Sequence, residues 1–178
     1  YWAPVLIVIV FVVWSSFRRW DHPAQLAVVW KGMILESLVF AWGLFVLSRV
    51  LGPWIQDLGI RLSAAGEAKG LGQIITFVGA GIYEELLFRL LLFLGLGCLF
   101  RLAGISRWFS AILSTLTSAA LFAAAHHVGP YGEVFDRSIF LFRVFAGLYF
   151  ALLYQLRGFG IAVGTHTCYD LLVGVLMV

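Results

Sequence analysis

Charge is what this sequence has least of. Only 12% of its 178 residues are charged and 62% are hydrophobic, whereas a soluble domain carries about 25% charged residues. The mean hydropathy of +1.01 agrees, so a water-soluble globular protein is excluded and a lipid bilayer is the predicted environment. The formal net charge of +3 is spread over several loops, which fits the flanks of membrane spans and argues against nucleic-acid binding.

Cysteine is scarcer still. The two cysteines, Cys98 and Cys168, both lie inside apolar runs, so the chain has neither a disulfide framework nor a Cys-x-x-Cys metal site. It also lacks the His-Glu-x-x-His zinc motif and the Gly-x-Ser-x-Gly turn of serine hydrolases. These absences predict no cofactor, no bound metal and no covalent serine nucleophile.

Long apolar runs, by contrast, recur along the whole chain. A helix needs about 20 apolar residues to cross the hydrocarbon core, and most of these runs are near that length. We therefore predict an all-α fold, a polytopic transmembrane helix bundle of about six spans, in a single domain over residues 1–178. The predicted spans are 2–17, 26–51, 71–102, 108–127, 138–157 and 161–178, with a polar surface loop over 52–70. Because residue 1 is Tyr and not Met, we expect the natural N-terminus to lie further upstream.

The stretch Gly79–Arg89, which we call the acidic motif, places two carboxylates and a guanidinium inside the third span. An unpaired charge in hydrocarbon is costly, so acidic residues at this depth mark a functional site by default. On a helix Glu85 and Arg89 share a face, while Glu84 points about 100° away from Glu85. The simplest arrangement pairs Glu85 with Arg89 and leaves Glu84 for chemistry. The small residues Gly79, Ala80 and Gly81 would let a neighbouring helix come close just before the carboxylates.

Two later spans also carry ionisable residues. His126 and His127 end the fourth span, and His166 and Asp170 lie four residues apart on one face of the sixth. One isolated buried His is more often a core residue, but such residues on three spans are better explained as lining one buried polar cavity. The same four-residue spacing places Phe122 beneath His126.

Together these residue types suit a particular chemistry. A carboxylate in a cavity beside an imidazole can remove a proton from water, and the water then attacks a carbonyl. The depths of these residues in the membrane do not match at once. With a rise of 1.5 Å per residue, straight spans leave Glu84 and His126 about 10 Å apart. The gap closes only if the spans tilt or the loop 128–137 dips inward, as backbone may do where it lines a cavity.

At these residues the sequence resembles the CPBP family of intramembrane glutamic proteases, which includes the CAAX prenyl endopeptidases and bacterial immunity-type homologues. The family pattern of Glu-Glu-x-x-x-Arg, Phe-x-x-x-His and His-x-x-x-Asn/Asp is matched by Glu84-Glu85 to Arg89, Phe122 to His126 and His166 to Asp170. The segment from Arg143 to Gly147 is similar to the family's Arg-x-Phe-x-Gly segment. The resemblance covers about residues 70–178.

The resemblance implies specific roles for these residues. Glu84 would activate water together with His126, and His166 with Asp170 would form or orient the side that stabilises the oxyanion. The implied supporting residues are Glu85, Arg89, Phe122 and Arg143. Some prenyl-processing members carry Asn where this chain has Asp170, which leaves open whether the substrate is prenylated or carries a C-terminal sorting tag.

The implied activity is that of an intramembrane endopeptidase. It would hydrolyse a peptide bond near the membrane-associated or C-terminal part of a protein. The implied partners are a membrane-associated or lipidated protein or peptide substrate and the lipid bilayer, with no nucleic acid. The implied location is a prokaryotic cell membrane, crossed several times.

Two alternatives stay open at this point. Glu84, His126, His166 and Asp170 are chemically suitable zinc ligands, which would make the chain a zinc-dependent membrane hydrolase. The buried polar residues could instead only pair helices in a non-catalytic membrane scaffold or immunity protein. A polar cavity touching Glu84, His126 and His166 would favour an enzyme, whereas a sealed salt bridge from Glu84 to Arg89 would favour the scaffold.

Overall fold

The structure, a computed structural model, describes residues 25–51, 70–129 and 132–176 and isolated positions before residue 17. Over these residues the chain forms helices joined by turns, without a strand. The helices are α1 Leu26–Leu51, α2 Leu71–Glu85, a π-helix Leu86–Phe93, α3 Leu94–Leu102, α4 Arg107–Ala125, α5 Arg137–Arg157 and α6 Phe159–Leu176. The predicted all-α class is confirmed for this part of the chain.

Among the described residues, three helices are long and apolar enough to cross a membrane by length and composition. They are Leu26–Val50, Arg107–Ala125 and Arg137–Arg157, and Phe159–Val175 is apolar but shorter. The bounds of these helices lie close to those predicted, while the number of six spans stays a prediction. The predicted span 2–17 and the predicted surface loop 52–70 lie largely outside the described residues.

Helix α2, the π-helix and α3 follow one another without a break, and we call this rod of residues 71–102 the acidic helix. A π-helix bonds each N–H to the carbonyl five residues back. Where this pattern replaces the ordinary four-residue pattern, a backbone carbonyl can lose its partner within the helix. Inside a membrane such a carbonyl is satisfied by a neighbouring helix, often through Ser or Thr. Ser118 of α4 donates its hydroxyl to the Phe88 carbonyl at 2.7 Å, and Ser110 donates to Gly97 at 3.0 Å. These bonds join α4 to the acidic helix.

Helix α6 packs against α1, α2 and α5, and glycines permit its closest approaches. A Cβ at Gly81 would lie 2.5 Å from Thr167 Oγ1, and one at Gly164 would collide with Ser37. The close helix approach predicted just before the carboxylates is therefore present at Gly81. The same expectation is wrong for Gly79, because no atom lies within 4 Å of a Cβ built there.

The apolar core lies between α1, α5 and α6. Because lipid tails are as apolar as these side chains, close packing rather than removal from water holds the helices together. Leu44 is 0% exposed and Phe150 is 1% exposed. The core side chains are Ala41, Leu44, Phe45, Phe142, Ala146, Phe150, Leu153, Ala162 and Tyr169.

The connection from α4 to α5 turns back toward the bundle. Helix α4 ends at Ala125, and Gly129 adopts a positive φ of 98° that favours glycine. The Glu133 N–H then donates to the His126 carbonyl at 2.9 Å. Asp136 caps α5 by accepting from the Ser138 N–H at 2.8 Å. The described part of this segment thus folds against the end of α4. Whether the loop dips inward or the spans tilt, the two ways given above to bring Glu84 and His126 together, stays a prediction.

Candidate active site

Glu84 lies where α2, the end of α4 and α6 meet. Its Oε2 atom is 3.7 Å from His126 Nε2 and 3.9 Å from His166 Nε2. This oxygen is buried and has no hydrogen-bond partner among the described residues. Both separations exceed a direct hydrogen bond. The two imidazoles therefore face the Glu84 carboxylate without being bonded to it.

Glu85 points away from that space into the packed interior, where it is 0% exposed. Its Oε2 is 3.1 Å from Arg89 Nε, the ion pair expected from the four-residue spacing. Its Oε1 accepts a hydrogen bond from His166 Nδ1 at 2.9 Å. Arg89 in turn donates to the Gly147 carbonyl at 3.1 Å. Glu85 is thus the centre of a buried network that links the acidic helix, α5 and α6.

The ring of His126 is oriented by the backbone of its own helix. Nδ1 is 2.8 Å from the Phe122 carbonyl, and since a carbonyl only accepts, Nδ1 carries the hydrogen. The neutral ring then presents its Nε2 lone pair towards Glu84. Phe122 meets this ring edge to face at 5.0 Å between centroids, in agreement with the predicted spacing.

The ring of His166 is held from several sides. Besides the bond from Nδ1 to Glu85, its Nε2 is 3.5 Å from Asp170 Oδ2. Phe150 stacks on the ring with 4.4 Å between centroids and an interplanar angle of 14°. Because carboxylates flank both ring nitrogens, the charged imidazolium would have an acceptor for each of its N–H groups.

These groups surround a cavity of about 200 Å³. A water molecule takes about 30 Å³ in the liquid, so the cavity has room for water together with a small part of a substrate. Both polar groups and aromatic rings line it. The lining residues are Thr76, Phe77, Ala80, Glu84, Phe122, His126, Glu133, Phe142, Arg143, Ala146, Phe150, His166, Tyr169 and Asp170.

A second ion pair lies in the cavity wall. Arg143 Nη2 donates to Glu133 Oε1 at 2.7 Å. Glu133 belongs to the segment between α4 and α5, outside the helices that are long and apolar enough to span a membrane. Partial burial acts to raise the pKa of Glu133, but the hydrogen bond and positive charge of Arg143 hold that pKa below its ordinary value. The Glu133 carboxylate is therefore charged at neutral pH.

The sequence-predicted residues gather at this place. Those that line the cavity are Glu84, Phe122, His126, Arg143, His166 and Asp170. Glu85 and Arg89 are buried beside them. His127, the neighbour of His126, makes other contacts: its Nδ1 donates to the Glu133 carbonyl at 3.2 Å, and its ring packs 5.3 Å from Phe135.

Sequence reasoning missed three features of the site. It did not find Glu133, the stacking of Phe150 on His166, or the bond from Glu85 to His166. A signal existed for Phe150, because Arg143, Gly147 and Phe150 are spaced to share one face of a helix. Glu133 stands among turn-forming residues and carries no such pattern.

Comparison with known proteins bears on the same part of the chain. The model of the family described as "Type II CAAX prenyl endopeptidase Rce1-like" matches residues 68–172. The match covers more than half of the chain and contains every residue of the candidate site. No curated protein and no solved structure matches the chain.

Proposed function

Since the chain belongs to the Rce1-like family of type II CAAX prenyl endopeptidases, we propose that it hydrolyses a peptide bond near the C-terminus of a membrane-associated protein, using water activated by Glu84. Family membership makes it a CAAX-type membrane endopeptidase in general. This family acts on prenylated, membrane-associated proteins. Our proposal adds two points to family membership: the identity of the general base and the position of the cleaved bond.

The first step is activation of water. A water in the cavity donates one hydrogen bond to Glu84 Oε2 and the other to His126 Nε2, since both atoms are acceptors. This leaves an oxygen lone pair of the water pointing towards the substrate carbonyl. As the new C–O bond forms, Glu84 takes the proton. General-base catalysis of this kind contributes about 10² to 10⁴ in rate.

The second step is collapse of the tetrahedral intermediate. His166, held by Glu85 and Asp170, donates its Nε2–H to the developing oxyanion, where a positioned donor is most effective. The C–N bond then breaks, and Glu84 returns its proton to the leaving amine. The new carboxylic acid gives its proton to the released amine, so the products are a C-terminal carboxylate and a protonated amine. One water is consumed and the enzyme is regenerated.

One observation carries this proposal. The Glu84 oxygen that faces the imidazoles of His126 and His166 at 3.7 and 3.9 Å has no hydrogen-bond partner among the described residues. A carboxylate that served only to tie helices together would be closely paired, as Glu85 is by the hydrogen bond from His166 at 2.9 Å and the ion pair with Arg89 at 3.1 Å. A buried and unpaired acceptor is costly, and the proposed reaction gives it a use.

Glu84→Gln tests the proposal, and Glu36→Gln is its matched control. Glu36 also lies in an apolar helix, but it pairs with Arg157 at 2.8 Å and does not line the cavity. We expect Glu84→Gln to reduce hydrolysis of a farnesylated CAAX peptide in detergent by about 10³-fold. Glu36→Gln should stay close to wild type. Wild-type turnover by Glu84→Gln would remove Glu84 from this role.

A chelator distinguishes the water mechanism from a zinc-dependent hydrolase. Among the described residues, no group of three or more His, Cys, Asp or Glu is placed to hold a metal ion. We propose a metal-independent reaction, so treatment with 1,10-phenanthroline should leave the rate unchanged. Loss of activity on chelation, restored by zinc, would favour the metal-dependent alternative.

The proposal includes the setting of the enzyme. We propose one domain over residues 1–178 that crosses a prokaryotic cell membrane about six times and uses no cofactor. The substrate is a lipidated or otherwise membrane-associated protein. Cleavage of the same peptide with and without its prenyl group would decide whether the prenyl chain is recognised.

A further inference from the structure

Arg143 lines the cavity and has a donor that is not used within the described residues. The residue is only 6% exposed. One nitrogen of its guanidinium, Nη2, donates to Glu133 Oε1 at 2.7 Å. Another, Nη1, is buried and has no hydrogen-bond partner among the described residues. A guanidinium carries five N–H donors and binds a carboxylate most strongly with two of them. The site can therefore hold a further anionic group.

Arg143 lies close to the proposed reaction. Arg143, Glu84 and His166 line the same cavity of about 200 Å³. An extended peptide advances only about 3.3 to 3.4 Å per residue. A group bound at Arg143 is therefore separated by only a few residues from a carbonyl held at Glu84.

One anion is present in every substrate that is cut near its end. Whatever its sequence, such a substrate carries an α-carboxylate at its C-terminus, and a cut a few residues away leaves that carboxylate within reach of Arg143. We propose that Arg143 binds the C-terminal carboxylate of the substrate, an inference that rests on the proposed function. This contact fixes how many residues lie between the C-terminus of the substrate and the cleaved bond.

Glu133 has a defined part in this arrangement. Its carboxylate already occupies one side of the guanidinium, and its charge repels a second carboxylate. Glu133 therefore weakens the binding of the substrate carboxylate while it holds Arg143 in place. This gives the two partners of one ion pair opposite effects on binding, which a purely structural pair would not show.

The test compares two forms of one farnesylated CAAX peptide, one with a free C-terminal carboxylate and one with a C-terminal amide. For wild type we expect kcat/KM to favour the carboxylate form by roughly tenfold to a hundredfold, mainly through KM, as for one charge-assisted hydrogen-bonded pair. Arg143→Gln should abolish this preference. Arg143→Lys keeps the positive charge but loses the planar guanidinium with its paired N–H donors, so it should show an intermediate preference for the carboxylate form.

Glu133→Gln is the matched variant on the other side of the pair. It should lower KM for the carboxylate form and widen the preference over the amide. If the pair were only structural, Glu133→Gln and Arg143→Gln would instead slow cleavage of both peptides in parallel. That parallel loss would overturn the inference.

The outcomes separate this inference from the proposed function. If wild type cleaves both forms with equal kcat/KM, Arg143 is not a carboxylate receptor, although the endopeptidase function stands. If wild type cleaves neither form, the proposed function fails and this inference fails with it. Mass spectrometry gives a second readout: wild type should release fragments of one length counted from the C-terminus, and Arg143→Gln should release several lengths.

Discussion

Glu84 and Glu85 are neighbours in the chain but face two unlike regions of the molecule. Glu85 points into a packed interior, where Arg89 and His166 contact its two oxygens and its side chain is 0% exposed. Glu84 points into the cavity, where its side chain is 23% exposed. Its Oε2 has no hydrogen-bond partner among the described residues.

The difference shows how one short motif can serve both stability and chemistry. A buried charge that is paired and hydrogen-bonded can be tolerated, while a buried charge without partners is strongly destabilising. In the region around Glu85 this cost is offset by pairing. In the region around Glu84 it is not, so a substitution should affect stability in the first region and turnover in the second.

The largest expected effect on stability is that of Arg89→Met. This change leaves Glu85 as a buried carboxylate without its cation, which should lower the free energy of unfolding by about 3 to 5 kcal/mol. Unfolding in mixed micelles, followed by tryptophan fluorescence, measures it. The double variant Glu85→Gln with Arg89→Met should recover part of the loss. An Arg89→Met protein as stable as wild type would mean that the two regions do not differ in this way.

Two neighbouring histidines sharpen the comparison on the side of the cavity. His126→Gln replaces the imidazole that faces Glu84 with an amide of much lower basicity and should slow hydrolysis by about 10² to 10³. His127→Gln changes a ring that packs 5.3 Å from Phe135 and does not line the cavity, so its rate should stay within a few-fold of wild type. Equal losses in the two variants would show that the effect is structural.

A smaller effect is expected where the acidic helix meets α4. Ser118→Ala leaves the Phe88 carbonyl in the π-helix without the donor that lies 2.7 Å away. This should cost about 1 to 2 kcal/mol of unfolding free energy. Ser110→Ala removes a longer and only partly buried bond to Gly97 and should cost less. Unfolding in mixed micelles measures both losses of stability. A larger loss for Ser110→Ala than for Ser118→Ala would contradict this account of the π-helix.

The smallest effect concerns pH and the pair of Glu133 with Arg143. The pKa of Glu133 in the folded protein lies below its ordinary value of 4.5. The stabilisation that the Glu133 carboxylate gives the fold is therefore fully present above about pH 4.5 and is lost as the pH falls through the lowered pKa. The melting temperature of wild type should therefore drop more steeply in that acidic range than that of Glu133→Gln. Parallel curves would show that the pair contributes no stability.

Much of this arrangement could be predicted from the sequence, and the reasons are physical. The long apolar runs gave the helices from residue 26 onward, and four-residue spacing gave the contacts of Glu85 with Arg89 and Phe122 with His126. What spacing along one helix cannot give is the contact between helices. The bond from Glu85 to His166 and the pairing of Glu133 with Arg143 depend on how α2, α5 and α6 pack.

The π-helix shows the same limit within one element. Its sequence, Leu86–Phe93, is an apolar run with one arginine, and nothing in it departs from an ordinary helix pattern. The external donor, Ser118, lies 30 residues further along the chain. Local sequence therefore predicts the helix but not its change of hydrogen-bonding pattern.

The most direct measurement is the rate of peptide hydrolysis together with the melting temperature, for Glu84→Gln and Glu85→Gln prepared side by side. We expect Glu84→Gln to lose about 10³-fold in rate with an unchanged or higher melting temperature. Glu85→Gln should melt at a clearly lower temperature than wild type. The account would be contradicted if Glu84→Gln hydrolysed the peptide at the wild-type rate, or if the two variants lost the same amount of stability.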